Sequence, residues 1–321
     1  MRPVAVVIPV YGRDDALATV PFLQRQAYAD ALRIIVVDNG NEPDRSARLR
    51  GLASDHVTVV SFRENQGGSA AYIAGMDTAR RKFPACRYVW LLDDDATPNA
   101  DTLPGLVDAM DGLLAAQPQT ASVGSTVVSV SDAGRIIECG ASFSVLLCHA
   151  FPKLAGRRLA EVGNRILRVD YAAACSLLVN VAAVEACGFW EDVFIHFDDI
   201  EWGLRVTRGG WRNYATTAST VVHPEFDPEK AGAWICYFDV RNMLWLAAKH
   251  GRAAVWFVRM KNFLRDLRAT LTGWHPERVP YRRLAYADFR SGTRRNRAEV
   301  VTHFHENPQN QSGRKDKRIG E

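Results

Sequence analysis

The stretch YVWLLDDDATP, Tyr88–Pro98, decides the fold class of this chain. Its five apolar or aromatic residues predict a short buried strand, and three carboxylates, Asp93, Asp94 and Asp95, follow where that strand ends. Like charges this close repel each other unless solvent or a cation lies between them. A hard divalent cation bound by carboxylate oxygens explains the arrangement, and an acidic turn that caps the next helix is the alternative.

Three further strand-like runs precede this stretch and alternate with helix-like segments. The predicted strands are Val4–Val10, Arg33–Asn39 and Val57–Phe62, and the predicted helices are Asp14–Tyr28, Pro43–Ala53 and Gln66–Phe83. Each strand is a continuous apolar run, which is typical of strands buried on both faces. The order βαβαβαβ therefore predicts an α/β fold with a mostly parallel central sheet flanked by helices, and ligands bind such sheets at the carboxyl ends of the strands.

Polar residues follow the first three strands as well as the fourth. Tyr11 follows the first, Asp38 ends the second, and Asn65, Gly67 and Gly68 follow the third. Asn, Asp and Gly also form ordinary turns, which is the alternative for each loop alone. Because the carboxyl ends of parallel strands meet at one edge, the four loops together predict a binding site.

The first loop argues against a dinucleotide-binding oxidoreductase. It reads PVYGRDD from Pro9 to Asp15, where that class needs GxGxxG, and no P-loop is present in the chain. A nucleotide diphosphate would then be held through a carboxylate-bound cation instead of a glycine cradle.

The second half of the chain supplies another pair of carboxylates and a histidine. Asp198 and Asp199 begin a predicted helix, where the macrodipole favours an ionised proton acceptor, although a simple helix cap is the alternative. His223 ends the strand-like run ASTVVH, and a neutral imidazole complements carboxylates around Mn²⁺ or Mg²⁺. A packed or surface histidine is the alternative there.

Composition bounds the class of protein. The chain has 321 residues and a net charge of only +4, which gives no indication of nucleic-acid binding. Its six cysteines show no CxxC pairing and predict buried thiols in a reducing compartment. The N-terminus runs directly into a strand, and no window of about eighteen residues lacks charge. We therefore expect a cytoplasmic protein without a spanning helix.

The segment Ala233–Trp274 is rich in Trp, Phe and Leu with Arg and Lys interspersed, and it predicts two or three helices. An apolar face with basic flanks would suit the inner surface of a cell membrane. Packing of the same face on the rest of the chain, or on a second subunit in a homo-oligomer, is the alternative.

Taken in order, VIPVYGR, VVDNGN, ENQGGSAAYIAGM, LLDDDATP, FIHFDDIEWGLR, VVHP and YFDVRNMLWLA resemble family 2 glycosyltransferases with the GT-A fold. The bacterial rhamnosyltransferase and galactofuranosyltransferase branch is the nearest pattern, over roughly residues 3–248. The resemblance implies an inverting, metal-dependent transfer of a sugar from a UDP- or dTDP-sugar to a hydroxyl of a glycan or lipid-linked glycan in cell-envelope synthesis. The turn GGSAAY departs from the usual glycine-rich form, which bears on the identity of the donor.

The resemblance also implies a role for each matched residue. Asp199 would be the catalytic base. The metal ligands would be Asp93, Asp95 and His223. The nucleotide and donor would contact Pro9, Tyr11, Asp38, Asn65, Gly67, Gly68, Asp93 and Asp94. The sugar or acceptor would contact Trp190, Asp198, Trp202, Arg241 and Asn242.

The predicted organisation is a GT-A catalytic domain at residues 1–230, with a nucleotide-binding half at about 1–100 and an acceptor half at about 101–230. A helical extension follows at 231–290 and a polar tail at 291–321. Two other functions remain as alternatives, a metal-dependent nucleotidyltransferase and a non-catalytic nucleotide-sugar-binding protein.

Overall fold

The computed structural model describes residues 3–26, 28–40, 42–225, 227 and 232–305. Its strands are β1 Val4–Val10, β2 Leu32–Asp38, β3 Val57–Ser61, β4 Tyr88–Leu92, β5 Thr97–Pro98, β6 Thr120–Ser129, β7 Ile136–Glu138, β8 Ala141–Ser144, β9 His149–Pro152, β10 Ile166–Val169, β11 Ser176–Asn180 and β12 Arg212–His223. Its α-helices are α1 Ala16–Gln24, α2 Pro43–Arg50, α3 Gly67–Lys82, α4 Thr102–Ala116, α5 Leu159–Val162, α6 Val181–Cys187, α7 Asp198–Arg208, α8 Ile235–Ala248, α9 Arg252–Thr272, α10 Val279–Ser291 and α11 Arg297–His305.

One large mixed sheet forms the centre of the fold, in the order β10-β12-β6-β11-β4-β1-β2-β3. The predicted parallel core is confirmed for the first four strands, because β1 pairs in parallel with both β2 and β4, and β2 pairs in parallel with β3. The second half of the sheet is mixed: β11 runs antiparallel between β4 and β6, and β12 runs parallel to β6. The carboxyl ends of β1 to β4 therefore lie along one edge, as the sequence predicts.

Helices cover both faces of this sheet. Side chains alternate between faces along a strand, so Val4, Val6 and Ile8 join one apolar cluster with α1 and α4, whereas Ala5 and Val7 join another with α3, α6 and α7. Each of these five side chains is fully buried. The core thus forms two layers around the sheet, and the sheet edge above it is left for polar loops.

Helix α3 lies unusually close to β1. A Cβ built at Gly75, in the middle of α3, would come within 2.1 Å of a methyl carbon of Val7. Only a residue without a side chain allows this approach, which is the kind of close packing that glycine makes available. The first turn of α3 is thereby held near the carboxyl end of β1.

The described residues fall into two compact units. The first contains residues 3–143, 150–192 and 198–225, and the second contains 144–149, 193–197 and 232–305. The predicted polar tail begins at residue 291, but residues 297–305 form helix α11, in which Val300 is fully buried. The remainder of that tail, including the basic run from Arg314 to Arg318, lies outside the described residues.

Two expectations concern the cysteines and a membrane-spanning helix. All six cysteines are free thiols, and four of them are buried. Among the helices that the structure describes, none is both long enough and apolar enough to cross a bilayer.

Candidate active site

Three side chains from distant parts of the first unit form a candidate metal centre. Asp93 and Asp95 follow β4, and His223 ends β12, and one ligand atom from each lies within 4.8 Å of the others. The His223 Nε2 atom is 3.0 Å from an Asp95 oxygen and 3.8 Å from an Asp93 oxygen. Two carboxylates with one imidazole are a ligand set that suits Mn²⁺ or Mg²⁺, so the residues present fit such an ion.

Groups on helix α3 and on the loop after β1 contact these carboxylates. The Tyr72 hydroxyl, from α3, donates a hydrogen bond to Asp93 at 2.6 Å. Beyond β1, the Tyr11 N–H donates to Asp94 at 3.1 Å, and Arg13 forms an ion pair with Asp95 at 3.0 Å. The three successive aspartates therefore contact three different groups. Their mutual repulsion is relieved by partners on each side.

The three carboxyl groups differ in acidity. Burial raises the pKa of Asp93, against the opposing effects of the Tyr72 hydrogen bond and the His223 charge. Burial also raises the pKa of Asp94 to about 7, although the Tyr11 N–H favours its anion. Burial acts in the same direction on Asp95, but the hydrogen bond and charge of His223 outweigh it with help from Arg13, so the Asp95 pKa lies below its usual value. Asp95 is thus the carboxylate that stays anionic over the widest pH range.

His223 is oriented by its own backbone neighbour. Its Nδ1 atom lies 2.7 Å from the Pro224 carbonyl oxygen, a contact that requires the Nδ1–H tautomer and leaves Nε2 facing the carboxylates. Burial lowers the pKa of this imidazole, but the hydrogen bond to Asp95 and the charges of Asp95 and Asp93 raise it above its usual value. A neutral His223 would offer the Nε2 lone pair to a cation.

Asp198 and Asp199 begin α7 as predicted, and they lie near the same cluster. The Ser69 hydroxyl, in the first turn of α3, donates to Asp198 at 2.7 Å, and the Asp198 charge raises the pKa of Asp93. Asp199 accepts the Ile200 N–H at 2.7 Å. Burial raises the pKa of Asp199 well above its usual value, and the charges of Asp198 and Glu138 add to this effect. The helix N-terminus is therefore not the dominant influence on Asp199, contrary to the sequence argument.

The analysis of the sequence missed Glu138, at the end of β7. Its side chain accepts the Ala173 N–H, and burial raises its pKa. One of its carboxylate oxygens is buried without a hydrogen-bond partner among the described residues. The indole N–H of Trp190, which packs edge-on against Tyr72 at 5.1 Å, is buried and unpartnered in the same sense. Buried polar atoms without partners are rare in native proteins, and a catalytic role is one explanation for them. No motif in the sequence marks Glu138.

The predicted nucleotide side is organised by Asn39, a polar residue after the second strand to which the sequence assigned no role. Its amide nitrogen donates to Asn65 Oδ1 at 3.2 Å and to the Gly67 carbonyl at 3.0 Å, and its oxygen accepts the Gln66 N–H at 2.9 Å. Gly67 has a φ of +88°, which favours glycine. The turn before α3 is therefore tied to the end of β2.

The other predicted nucleotide residues lie along the same edge with different exposures. Asp38 is 1% exposed and accepts a hydrogen bond from the Ser46 hydroxyl. Pro9 is partly buried within β1, opposite Val37, whereas the Tyr11 side chain is 43% exposed. Gly68 has open space where a side chain would project. Tyr11 and Gly68 are thus the more accessible members of this set.

Trp202 does not occupy the predicted position. It is 1% exposed, its indole N–H donates to the Gly188 carbonyl at 2.9 Å, and its ring contacts Phe189 edge-on. The structure therefore places Trp202 in the core. On α7 it shares a face with Val206, four residues further along, and both side chains belong to the same apolar cluster.

Arg241 and Asn242, on α8, have their polar groups occupied by the backbone of the second unit. The Asn242 amide donates to the carbonyls of Val193, Ile195 and His196, and an Arg241 nitrogen also donates to Val193. Both side chains are at most 2% exposed. Nearby, Phe194, His196 and Phe197 have positive φ. The pair thus stabilises a strained segment that runs directly into Asp198, and direct contact with an acceptor stays a prediction.

Solved structures identify the fold. A mannosyltransferase from Pyrobaculum calidifontis, in complex with GDP-Man and Mn²⁺, matches 95% of this chain and 80% of its own with a TM-score of 0.52 at 18% identity. GalNAc-T7 with UDP, GalNAc and Mn²⁺ matches 96% of this chain and 57% of its own, with a TM-score of 0.56 at 11% identity. TarS residues 1–349 of S. aureus match 89% and 80%, with a TM-score of 0.53 at 13% identity. The fold is that of the GT-A glycosyltransferases, as predicted.

Sequence comparison narrows the class. The profile of glycosyl transferase family 2 matches residues 5–136, a range that includes β1 to β4 and the three aspartates after β4. The galactofuranosyltransferase GlfT2 of Mycobacterium tuberculosis is 24% identical over 273 residues, and that of Mycolicibacterium smegmatis is 25% identical over 274. These matches include 77% of this chain but span only 41% of each relative. The predicted resemblance to family 2 glycosyltransferases, with galactofuranosyltransferase-like relatives, is confirmed.

Proposed function

We propose that this protein is an inverting, metal-dependent glycosyltransferase. It moves a sugar, galactofuranose or rhamnose, from a UDP- or dTDP-sugar to a hydroxyl of a glycan or lipid-linked glycan in cell-envelope polysaccharide synthesis. The observation that carries this proposal is that Asp95 and His223 lie in one acidic cluster with Asp198 and Asp199. The relatives named GlfT2 favour galactofuranose over rhamnose.

The chain's own groups divide the work of transfer. Asp93, Asp95 and His223 would hold Mn²⁺ or Mg²⁺, which neutralises charge on the departing diphosphate when bound. Asp199 removes the proton from the acceptor hydroxyl. The hydroxyl oxygen attacks the anomeric carbon of the donor sugar as the bond from that carbon to the diphosphate breaks. A single displacement of this kind inverts the anomeric centre.

The raised pKa of Asp199 suits this role. A carboxylate with a raised pKa is a stronger base once ionised, and a base works best when its pKa approaches the working pH. Ser69 holds Asp198 beside it, and the Glu138 and Trp190 polar atoms remain for sugar hydroxyls. Both alternatives from the sequence are less favoured, because Arg13 is paired with Asp95 instead of forming a triphosphate loop, and the catalytic set is intact.

The reaction is proposed at the cytoplasmic face of the cell membrane, where lipid-linked acceptors are found. The deciding experiment is a screen of UDP- and dTDP-sugars for thermal stabilisation and donor hydrolysis, each with Mn²⁺, Mg²⁺ or EDTA. We expect one sugar nucleotide to raise the melting temperature only in the presence of a cation. If neither nucleotide series stabilises the protein or is turned over, the proposal is wrong.

A further inference from the structure

Helix α9 carries its large apolar side chains on the wrong side for a core helix. Its buried face consists of Ala254, Val258, Asn262 and Ala269, three of them small or polar. Seven large apolar residues instead point outward and are 37–74% exposed. We call them the outer stripe: Trp256, Phe257, Met260, Phe263, Leu264, Leu267 and Leu271.

The outer stripe has the geometry of a docking surface. At about 100° per residue, its seven positions span about 120° of the helix circumference and about 22 Å of its length. Scattered apolar side chains on a surface need no explanation, but a continuous row of this size marks an interaction site. Leu146 and Leu147, which are 44% and 52% exposed, lie beside it, since Lys261 on α9 donates to the Leu147 and Cys148 carbonyls.

Basic residues border the outer stripe on both sides. On the helical circumference Arg252 and Arg259 precede it, and Lys261 and Arg268 follow it. The helix has one acidic residue, Asp266, and that carboxylate is paired with Arg282. An open groove of about 1030 Å³ continues the apolar surface towards α10, lined by Trp256, Phe263 and Phe289 together with further arginines.

The net charge of the second unit distinguishes between two possible partners for the outer stripe, a second copy of the chain and a lipid bilayer. Residues 232–305 contain fourteen Arg and Lys against five Asp and Glu, a net charge of +9, although the whole chain carries only +4. A second copy would present the same positive surface, and like charges brought together oppose association. An anionic bilayer satisfies both features, because acyl chains accept the apolar side chains while phosphates meet the flanking basic groups.

We infer that the outer stripe of α9 lies in the interface of an anionic lipid bilayer, parallel to its surface, and brings the protein to its acceptor. Only the statement that membrane binding brings the protein to its acceptor rests on the proposed function. The binding itself needs neither donor nor acceptor. The basic side chains beside the stripe and groove, Arg252, Arg259, Lys261, Arg268 and Arg290, would each be expected to contribute through attraction to headgroup charge.

Vesicle flotation of the full chain tests the inference. We expect wild-type protein to float with vesicles of phosphatidylcholine and phosphatidylglycerol, and to remain unbound with phosphatidylcholine alone. The double variant Phe263→Ser, Leu264→Ser should lose about tenfold or more in bound fraction. The matched control is Phe151→Ser, Ile166→Ser, which replaces two residues that are each 48% exposed in the first unit and should float as wild type.

A second variant separates the charge from the apolar contact. Arg252→Gln, Arg259→Gln should weaken flotation at low salt and leave little further effect of added salt, because screening removes the same interaction. Circular dichroism and melting curves confirm that each variant is folded. Flotation that is equal in the stripe variant and in the control would overturn the inference, as would a wild-type dimer that the stripe variant dissociates.

Donor hydrolysis in the absence of vesicles distinguishes this inference from the proposed function. Lost flotation with unchanged hydrolysis in the stripe variant supports the docking surface. If wild-type protein floats with vesicles but hydrolyses no donor, the proposed enzymatic function is contradicted, and the docking surface is still supported.

Discussion

Asp95 and Asp199 belong to one acidic cluster but have opposite electrostatic surroundings. Asp95 faces two cationic partners, Arg13 and His223, and its pKa is lowered. Asp199 faces Asp198 and Glu138, both anionic, and its pKa is raised. The comparison teaches that environment separates the roles of two identical side chains, since one is suited to binding a cation and the other to accepting a proton.

Removing the proton acceptor should have the largest effect. We expect Asp199→Asn to lower kcat by about 10³-fold, because the amide cannot take the acceptor's proton. Nucleotide-sugar affinity, measured by calorimetry, should change little. Asp77→Asn, on the exposed side of α3, is the control and should retain full turnover. Unchanged turnover of the Asp199 variant would refute the assignment.

Removing the cation ligand should be nearly as damaging but should differ in kind. Asp95→Ala should lower activity by about 100-fold or more and should abolish the rise in melting temperature on adding Mn²⁺. Asp101→Ala, an exposed acid a few residues further along, should keep both. Wild-type activity that survives EDTA would count against a metal at this site.

The pH dependence of cation binding sharpens the comparison further. The pKa values of Asp93 and His223 are both raised, so protons compete with a cation for two of the three proposed ligands. Affinity for Mn²⁺ should rise by up to about tenfold per pH unit between about pH 5 and 8. Titration calorimetry at several pH values measures it, and a flat profile would contradict the proposed ligands.

The same groups make the stability of the metal-free protein depend on pH. Over the range from the usual carboxyl pKa to about 7, the folded chain holds a proton on Asp94 that the unfolded chain has already lost, and the raised pKa of Asp93 acts in the same direction. Stability in EDTA should therefore fall as the pH rises through this range, and His223, with its raised pKa, contributes in the same direction. Melting curves at pH 5 and 7.5 test the sign.

The smallest predicted effect concerns Glu138. Glu138→Gln removes a negative charge that raises the pKa of Asp199, so the acidic limb of the kcat/KM profile should move to lower pH by less than about 1 pH unit. A loss of activity with no movement of that limb would mean that Glu138 contacts substrate without tuning the base.

Chain order and periodicity were enough to predict the first half of the fold. The apolar runs of β1 to β4 are continuous, and the polar residues follow them directly, so the shared sheet edge could be deduced from sequence alone. Asp199 and His223 could be proposed because Asp199 lies in the first turn of a recognisable helix and His223 ends a recognisable strand. The same reasoning gave the order of groups along the edge but not their distances or acidities.

The residues that were misjudged share a physical cause. Trp202 lies on a helix whose composition does not reveal which face is buried, so a core tryptophan resembled a sugar platform. Arg241 is also buried, and its predicted contact with an acceptor stays a prediction. Glu138 sits on β7, a strand of three residues, which is too short to show a period. Its position depends on antiparallel pairing with β6, a long-range contact that no local pattern indicates.

The close approach at Gly75 links the interior of the first unit to its chemistry. Tyr72 and Ser69, one and two turns before this glycine on α3, are the residues that hold Asp93 and Asp198. A methyl group added at position 75 would clash with Val7, so the helix would have to shift, and its first turn would move relative to both carboxylates. Alanine at position 75 is a conservative change by most measures. It would nevertheless weaken the hydrogen bonds to Asp93 and Asp198 together, without replacing any of the proposed ligands or sugar-binding groups.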